Sequence, residues 1–238
     1  RCPEFSEILN NVNRKIKNLM KIPCDFNIIW TQGGGHGQFS AIPLNMRTIP
    51  NFKNAGYLVT GTWSLRAYNE SKKFINSVNI WEDFYEKQNV MEYKTQPDNI
   101  YIPPGMDYIY LCSNETVNGI EFKDYLSRAQ LKGAKLIVDM SSDFLMKEIN
   151  WSVVDVAFAC TSKNMGIPGA NILIIRNSVL SEINGDDVPC ILDWNLYNNA
   201  NSLYNTPAVF NIYLLDKILD DYVSKMIKIE NIHKASIE

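Results

Sequence analysis

Histidine is almost missing from this chain. Only His36 and His233 occur among 238 residues, which leaves too few imidazoles for a histidine-based metal centre. Cysteines number five (Cys2, Cys24, Cys112, Cys160, Cys190), an odd and scattered set without C-x-x-C spacing. That pattern offers no zinc site and points to a reducing compartment. There is no excess of base: 23 Lys and Arg against 26 Asp and Glu give a net charge of −3 without a basic cluster. Nucleic acid and anionic membrane surfaces are therefore poor partners. No apolar run approaches the length of a membrane span, no signal peptide opens the chain, and no internal repeat is present. Phosphate-loop and dinucleotide fingerprints are also missing, which disfavours a plain nucleotide-binding module. What remains is 46% hydrophobic and 21% charged, long enough for one large α/β domain or two small ones. A soluble, cytoplasmic, enzyme-sized protein is expected. The chain opens on Arg1 instead of methionine, so an upstream segment is expected too.

In chain order, Phe5, Ile8, Leu9, Val12, Ile16 and Leu19 recur at helical spacing, and this helix stops before Ile22-Pro23. Phe26–Thr31 reads as a buried strand running into Gly33-Gly-Gly-His-Gly37, after which Gln38–Ala41 can start a helix. Gly56–Thr60 is a second strand, and Ser64 caps a helix carrying Leu65, Tyr68 and Phe74. Glu82–Gly105 is a polar, proline-punctuated connection. Further strands are expected at Tyr108–Cys112, Leu136–Asp139, Val154–Cys160 and Asn171–Arg176, with a polar turn at Ser113–Thr116 and a short helix at Tyr125–Leu131. These strands are apolar throughout instead of alternating, as in a mostly parallel sheet covered on both faces. After the turn Leu203–Pro207, a long helix presents Phe210, Tyr213, Leu214, Ile218 and Tyr222 on one face and adds no core beyond it.

Parallel α/β sheets bind ligands beyond the carboxyl ends of their strands. Gly33–Gly37, Gly61-Thr-Trp63, Asn114-Glu-Thr116, Asp139 and Ser162-Lys163 all follow strands, so they can share one crevice. Each has a bland reading as well. The glycines are either an anion cradle at a helix N-terminus or a plain turn. Asp139 either caps a following helix through Ser141 or Ser142, or keeps a cofactor's ring nitrogen protonated. Lys163 is either a surface lysine or a partly desolvated amine of lowered pKa that attacks an aldehyde and shuttles a proton. Trp63 is either core or a platform for a planar ring.

Five motifs, Trp30–Phe39, Asn114–Phe122, Asp139-Met-Ser-Ser142, Ser162-Lys-Asn-Met-Gly166 and Tyr204-Asn-Thr-Pro207, follow one another in an order and spacing that resembles phosphoserine aminotransferase, a pyridoxal-phosphate enzyme of fold type I. The resemblance covers nearly the whole chain. It implies a three-layer α/β/α sandwich with a mostly parallel central sheet, and it likens residues 1–238 to the family's large cofactor-binding domain. On that likeness, residues 1–238 are expected to lack the family's first segment and its C-terminal small domain, with the helix at about 208–230 leading toward the latter. Carried over by position, Lys163 forms the internal aldimine and moves the substrate proton. Asp139 pairs with the pyridine nitrogen, Trp63 stacks on the ring, and Thr116 bonds near the ring oxygen. Gly35, His36 and Ser162 hold the cofactor phosphate. Asn205 and Thr206 reach a partner's phosphate across a homodimer interface, and Arg1 binds a substrate carboxylate. His36 stands where arginine is common, Ser162 where glutamine is usual, and Ile167-Pro-Gly169 replaces Gly-Pro-Ala-Gly.

The function so implied is transfer of an amino group from L-glutamate to 3-phosphohydroxypyruvate, giving O-phosphoserine and 2-oxoglutarate in serine biosynthesis. Two alternatives stay open. One is another small-substrate fold-type I enzyme, such as a desulfurase-like one. The other is a truncated domain that binds cofactor without efficient turnover.

Overall fold

The computed structural model describes residues 2–81, 100–122, 125–227, 229 and 232. Helix α1 (Pro3–Leu19) leads into β1 (Phe26–Thr31), α2 (Gly34–Met46), β2 (Asn54–Leu58), α3 (Thr62–Ser71) and β3 (Asn76–Asn79). Then come β4 (Tyr108–Cys112), the small hairpin β5 (Asn114–Glu115) and β6 (Ile120–Glu121), α4 (Arg128–Leu131), β7 (Lys135–Asp139), β8 (Val156–Cys160) and β9 (Asn171–Arg176). Three helices follow: α5 (Asn177–Glu182), α6 (Trp194–Asn199) and α7 (Val209–Ser224).

Seven strands form one sheet in the order β1-β9-β8-β7-β4-β2-β3. Its β8, β7, β4, β2 and β3 pair in parallel, whereas β9 runs antiparallel between β8 and β1. Because β9 reverses direction, β1 again points the same way as β8, and the ends of β1, β2, β4, β7 and β8 share one edge. Each central strand feeds two cores by simple alternation. Leu136 and Val138 face the layer holding α1 and α7, while Ile137 faces the layer of α2, α3 and α6. Ala157 and Ala159 likewise oppose Val156 and Phe158. The strands are apolar on both faces because helices cover both. No described helix is long and apolar enough to cross a membrane.

Several elements differ from the expectations. The first turn of α2 is made of the glycines themselves, four residues before Gln38. Ser64 is not the cap of α3; the helix opens at Thr62 behind Gly61, and the Ser64 hydroxyl reaches back to accept from the N–H groups of Thr60 and Gly61 at 2.9 and 3.1 Å. Phe74 lies past the end of that helix. The polar Asn76-Ser-Val-Asn79 is an edge strand, a position that needs no buried face. Ser113–Thr116 contributes to a hairpin, not a simple turn. In α7 the expected stripe is turned the wrong way: Ile212, Leu215, Asp216 and Leu219 are buried, while Phe210 is 65% exposed. Register there is set by α1, whose Lys15 Nζ bonds Asp216 at 2.7 Å and Asp220 at 2.5 Å. Ile229 also joins the core beyond that helix. Of the connection at Glu82–Gly105, residues 82–99 lie outside the described residues.

Candidate active site

At the carboxyl edge of the sheet, a cavity of about 280 Å³ opens between the strand ends. Every main-sheet strand that ends at this edge, apart from the rim strand β3, sends a following segment to its wall. Behind β1 come Gly34, Gly35 and His36; behind β2, Trp63; behind β4, Asn114 and Thr116; β7 ends in Asp139, and behind β8 come Ser162 and Lys163. The antiparallel β9 begins here, and its Asn171 donates from Nδ2 to the Gly34 carbonyl at 2.7 Å, tying the glycine turn to the sheet. Gly33, behind that turn, has φ of 100°, a left-handed conformation that favours glycine.

Asp139 is the buried charge of the cavity. Its Oδ1 accepts from the Ser141 N–H at 2.9 Å and from the Ser141 hydroxyl at 2.6 Å; its Oδ2 accepts from the Tyr110 hydroxyl at 3.1 Å. All three donors are neutral. Burial pushes the carboxyl pKa up to about 6, against the pull of those hydrogen bonds. Tyr110, itself buried, has a phenol pKa well above its ordinary value for the same reason, so it stays a donor. The alternative in which Asp139 caps a following helix is half met: it holds Ser141, but residues 141–146 form turns, not a helix.

Lys163 lines the same cavity from its rim, and it is exposed, so the desolvation expected of it is not present. Ser162 and His36 are exposed beside it. His36 meets the Trp63 indole edge-on with centroids 6.2 Å apart, and the Arg66 guanidinium lies 5.0 Å from the same ring. Trp63 is half-buried and donates from Nε1 to Thr116 Oγ1 at 3.2 Å. Cys160, on the cavity wall next to Ser141, has its thiol pushed up to about 11 by burial and is therefore neutral.

The structure thus brings together Gly35, His36, Trp63, Thr116, Asp139, Ser162 and Lys163. Asn205 and Thr206 stand apart, in the segment between α6 and α7, where the Gln32 side chain bonds the Thr206 carbonyl. Arg1 lies outside the described residues. Sequence reasoning paired Asp139 with Ser141 or Ser142 but missed Tyr110, its third donor. Tyr110 lies two residues before a strand end and so points the same way as the terminal residue, a signal available from strand periodicity.

The residues fit pyridoxal phosphate, the group that the family resemblance calls for. A buried carboxylate without a cationic partner among the described residues suits a protonated ring nitrogen, and an indole wall suits the face of a ring. The first turn of α2 suits an anion, because N–H groups there have no helical acceptor.

Comparison with known proteins agrees. Residues 2–238 match the family Aminotransferase class-V. Phosphoserine aminotransferase 2, chloroplastic, of Arabidopsis thaliana is 34% identical over 243 residues, covering 100% of this chain and 56% of that protein. A phosphoserine aminotransferase from Trichomonas vaginalis, solved with pyridoxal phosphate bound, superposes with a TM-score of 0.86 at 31% identity over 99% of this chain and 63% of that one. The enzyme from Bacillus circulans subsp. alkalophilus gives a TM-score of 0.87 at 28% identity, over 99% and 62%. The chain therefore spans little more than half the length of these relatives. It belongs to the class-V aminotransferase family.

Proposed function

We propose that this chain is the cofactor-binding part of a pyridoxal-phosphate-dependent transaminase that passes an amino group from L-glutamate to 3-phosphohydroxypyruvate. The products would be O-phosphoserine and 2-oxoglutarate, the chemistry of serine biosynthesis, in the cytoplasm. The observation that carries the reading is the pairing of a primary amine, Lys163, with a buried carboxylate that has no counter-charge among the described residues, Asp139, on one cavity. The choice of substrate is supported by likeness to phosphoserine aminotransferases.

Bound in this cavity, pyridoxal phosphate would supply an aldehyde for amines and an electron-withdrawing ring. The chain's own residues divide the remaining work. Asp139 holds a proton at the ring-nitrogen position, with Ser141 and Tyr110 keeping its two oxygens in place. Lys163 Nζ, at the cavity rim and in contact with solvent, binds the cofactor and afterwards takes and returns the proton at the substrate's Cα. Trp63 packs on one face of the ring and excludes water there; Thr116 orients its edge. Backbone groups of Gly35 and His36, with the Ser162 hydroxyl, bind the phosphate. Asn205 and Thr206 serve the phosphate of a second copy in a homodimer, and Arg1 binds a substrate carboxylate.

The test is a visible spectrum with added pyridoxal phosphate, before and after borohydride, for wild type and Lys163→Ala. The wild type is expected to show an absorbance band that reduction fixes covalently to Lys163, and the variant to lack it. A band unchanged by the substitution overturns the reading. Equal rates on 3-phosphohydroxypyruvate and unphosphorylated keto acids overturn the substrate assignment alone.

A further inference from the structure

A second buried carboxylate lies behind the cavity wall, between the lining residues Asn114 and Thr116, and the cofactor reading leaves it without a task. Glu115 of the β5–β6 hairpin is fully buried. Its Oε2 accepts from the Trp63 N–H at 2.9 Å and its Oε1 from the Ser64 N–H at 2.7 Å. Beside it, Asn118 Oδ1 accepts from the Thr62 N–H at 2.8 Å and the Thr62 hydroxyl at 3.2 Å. Thr62, Trp63 and Ser64 are the first three residues of α3, and the residue ahead of them, Gly61, has no side chain to cap them. An element some fifty residues away therefore does the capping. Charge suits the arrangement, since a carboxylate is stabilised at a helix N-terminus and its hydrogen bonds to N–H groups are charge-assisted.

The approach is close enough to dictate sequence. A Cβ at Gly61 would lie 2.5 Å from Asn118 Oδ1 and 2.7 Å from Glu115 Cδ, so a side chain there would push both capping groups off the helix. Gly119, with φ of 68°, allows the turn that sets Glu115 and Asn118 side by side. Thr116, the next residue after Glu115, accepts from the Trp63 indole N–H at 3.2 Å. One hairpin thus grips both the backbone and the indole of Trp63, and both Trp63 and Thr116 face the cavity.

We propose that Glu115 is a positioning residue: by capping α3 from the hairpin it sets the Trp63 indole and the Thr116 hydroxyl together as one rigid wall of the cavity. A cap of α3 that served the fold alone would need neither Thr116 nor the indole. The inference rests on the reading of the cavity as a pyridoxal-phosphate site.

A double-mutant cycle on cofactor affinity tests it, using absorbance titration with pyridoxal phosphate and the induced circular dichroism of the bound cofactor. Glu115→Gln keeps the size of the side chain but turns one acceptor into an amide donor facing an N–H. In the wild-type background it is expected to weaken binding about tenfold and to reduce the induced signal; in the Trp63→Phe background the loss shrinks to under about twofold, because coupled residues are not additive. Equal losses in both backgrounds overturn the proposal, leaving Glu115 a cap and nothing else. Should Glu115→Gln not fold, Thr116→Val leaves the cap intact and cuts the link to the indole. It is expected to cost about tenfold in the wild type, where the ring contact and the link to the indole are lost together, and about threefold beside Trp63→Phe, where only the ring contact of Thr116 remains to lose; equal costs overturn the coupling. A wild-type chain that binds no cofactor overturns the cofactor reading and this inference with it; binding with additive losses overturns the inference alone.

Discussion

Asp139 and Asp155 lie at opposite edges of the same strands, and both are 3% exposed, yet their surroundings differ in kind. Asp155, just ahead of β8, receives the Arg128 guanidinium at 2.7 and 2.9 Å, the Leu136 N–H at 2.9 Å, and the Arg176 Nε at 3.3 Å. Among the described residues Asp139, at the end of β7, has only the Ser141 hydroxyl, the Ser141 N–H and the Tyr110 hydroxyl as donors. The fold brings its own counter-charge to one carboxylate and leaves the other to burial, which pushes it to about 6. Size is no guide to which edge is the site. The open depression around Arg128, Lys135, Asp155 and Arg176 measures about 570 Å³, twice the cavity at Asp139, but its cations are already paired. A buried acid that lacks a cation inside an open cavity marks where a cationic ligand group belongs.

The comparison breaks most visibly at Asp155. Replacing it by alanine leaves the two terminal nitrogens of Arg128 and the Leu136 N–H without their acceptor and takes a neighbouring carboxylate from Arg176, which keeps Asp25 and the Trp151 and Val154 carbonyls. Unfolding in urea is expected to show a loss of about 3 kcal/mol, at the low end for a buried pair because Arg128 is partly exposed, with cofactor affinity of the folded protein unchanged. A large loss of affinity would mean that the two edges are not independent.

At Asp139 the sign reverses. A carboxyl whose folded pKa is about 6, against about 3.9 when unfolded, makes the ionised form cost on the order of 3 kcal/mol at neutral pH. The folded state binds the proton more tightly between those values, so this contribution improves as the pH falls from about 6 to about 4. Asp139→Asn avoids the charge: its oxygen keeps the Ser141 donors and its amide can donate to the Tyr110 hydroxyl. The cofactor-free variant is expected to exceed wild type by about 1–2 kcal/mol at about pH 7.5 and to lose that advantage near about pH 4.5, while binding pyridoxal phosphate at least about tenfold more weakly. Denaturant melts of both proteins at the two pH values measure it; a gap of equal size at both would remove Asp139 as its source.

The contrast also separates what could be read in the sequence from what could not. Strands β4, β7, β8 and β9 were legible because both of their faces are buried, so each is a continuous apolar run. The convergence of Gly35, Trp63, Thr116, Asp139 and Lys163 followed from their places behind parallel strands. The edge strand β3 was hidden because it needs no apolar residues, and the buried face of α7 because it has apolar residues on several sides and α1 decides among them. Exposure of Lys163 depends on how the loop after β8 sits, which local composition does not encode. Glu115 was placed only as part of the segment Asn114-Glu-Thr116 and Asp155 only inside an expected strand; contacts across about thirty to fifty residues of sequence, to Ser64 and Arg128, show what each carboxylate holds.

The smallest expected effect falls on Ser141. Its hydroxyl lies 2.6 Å from Asp139 Oδ1 and 3.3 Å from both the Cys160 sulfur and the Cys160 N–H. A hydroxyl has one proton to give, and the short contact to a carboxylate takes it, which leaves the oxygen to accept from Cys160. Ser141→Ala removes one of three donors to Asp139, so the carboxyl is expected to hold its proton more tightly and the pH-dependent window to move upward. The cost to stability is about 1 kcal/mol at neutral pH, shrinking once Asp139 is protonated, because a neutral carboxyl has less need of the donor. Comparing melts of Ser141→Ala and wild type across pH separates the two bonds of this hydroxyl. A cost that fades toward acid pH traces to Asp139. A cost that stays constant traces to the Cys160 N–H, and would leave the Asp139 carboxylate held by the backbone and Tyr110 alone.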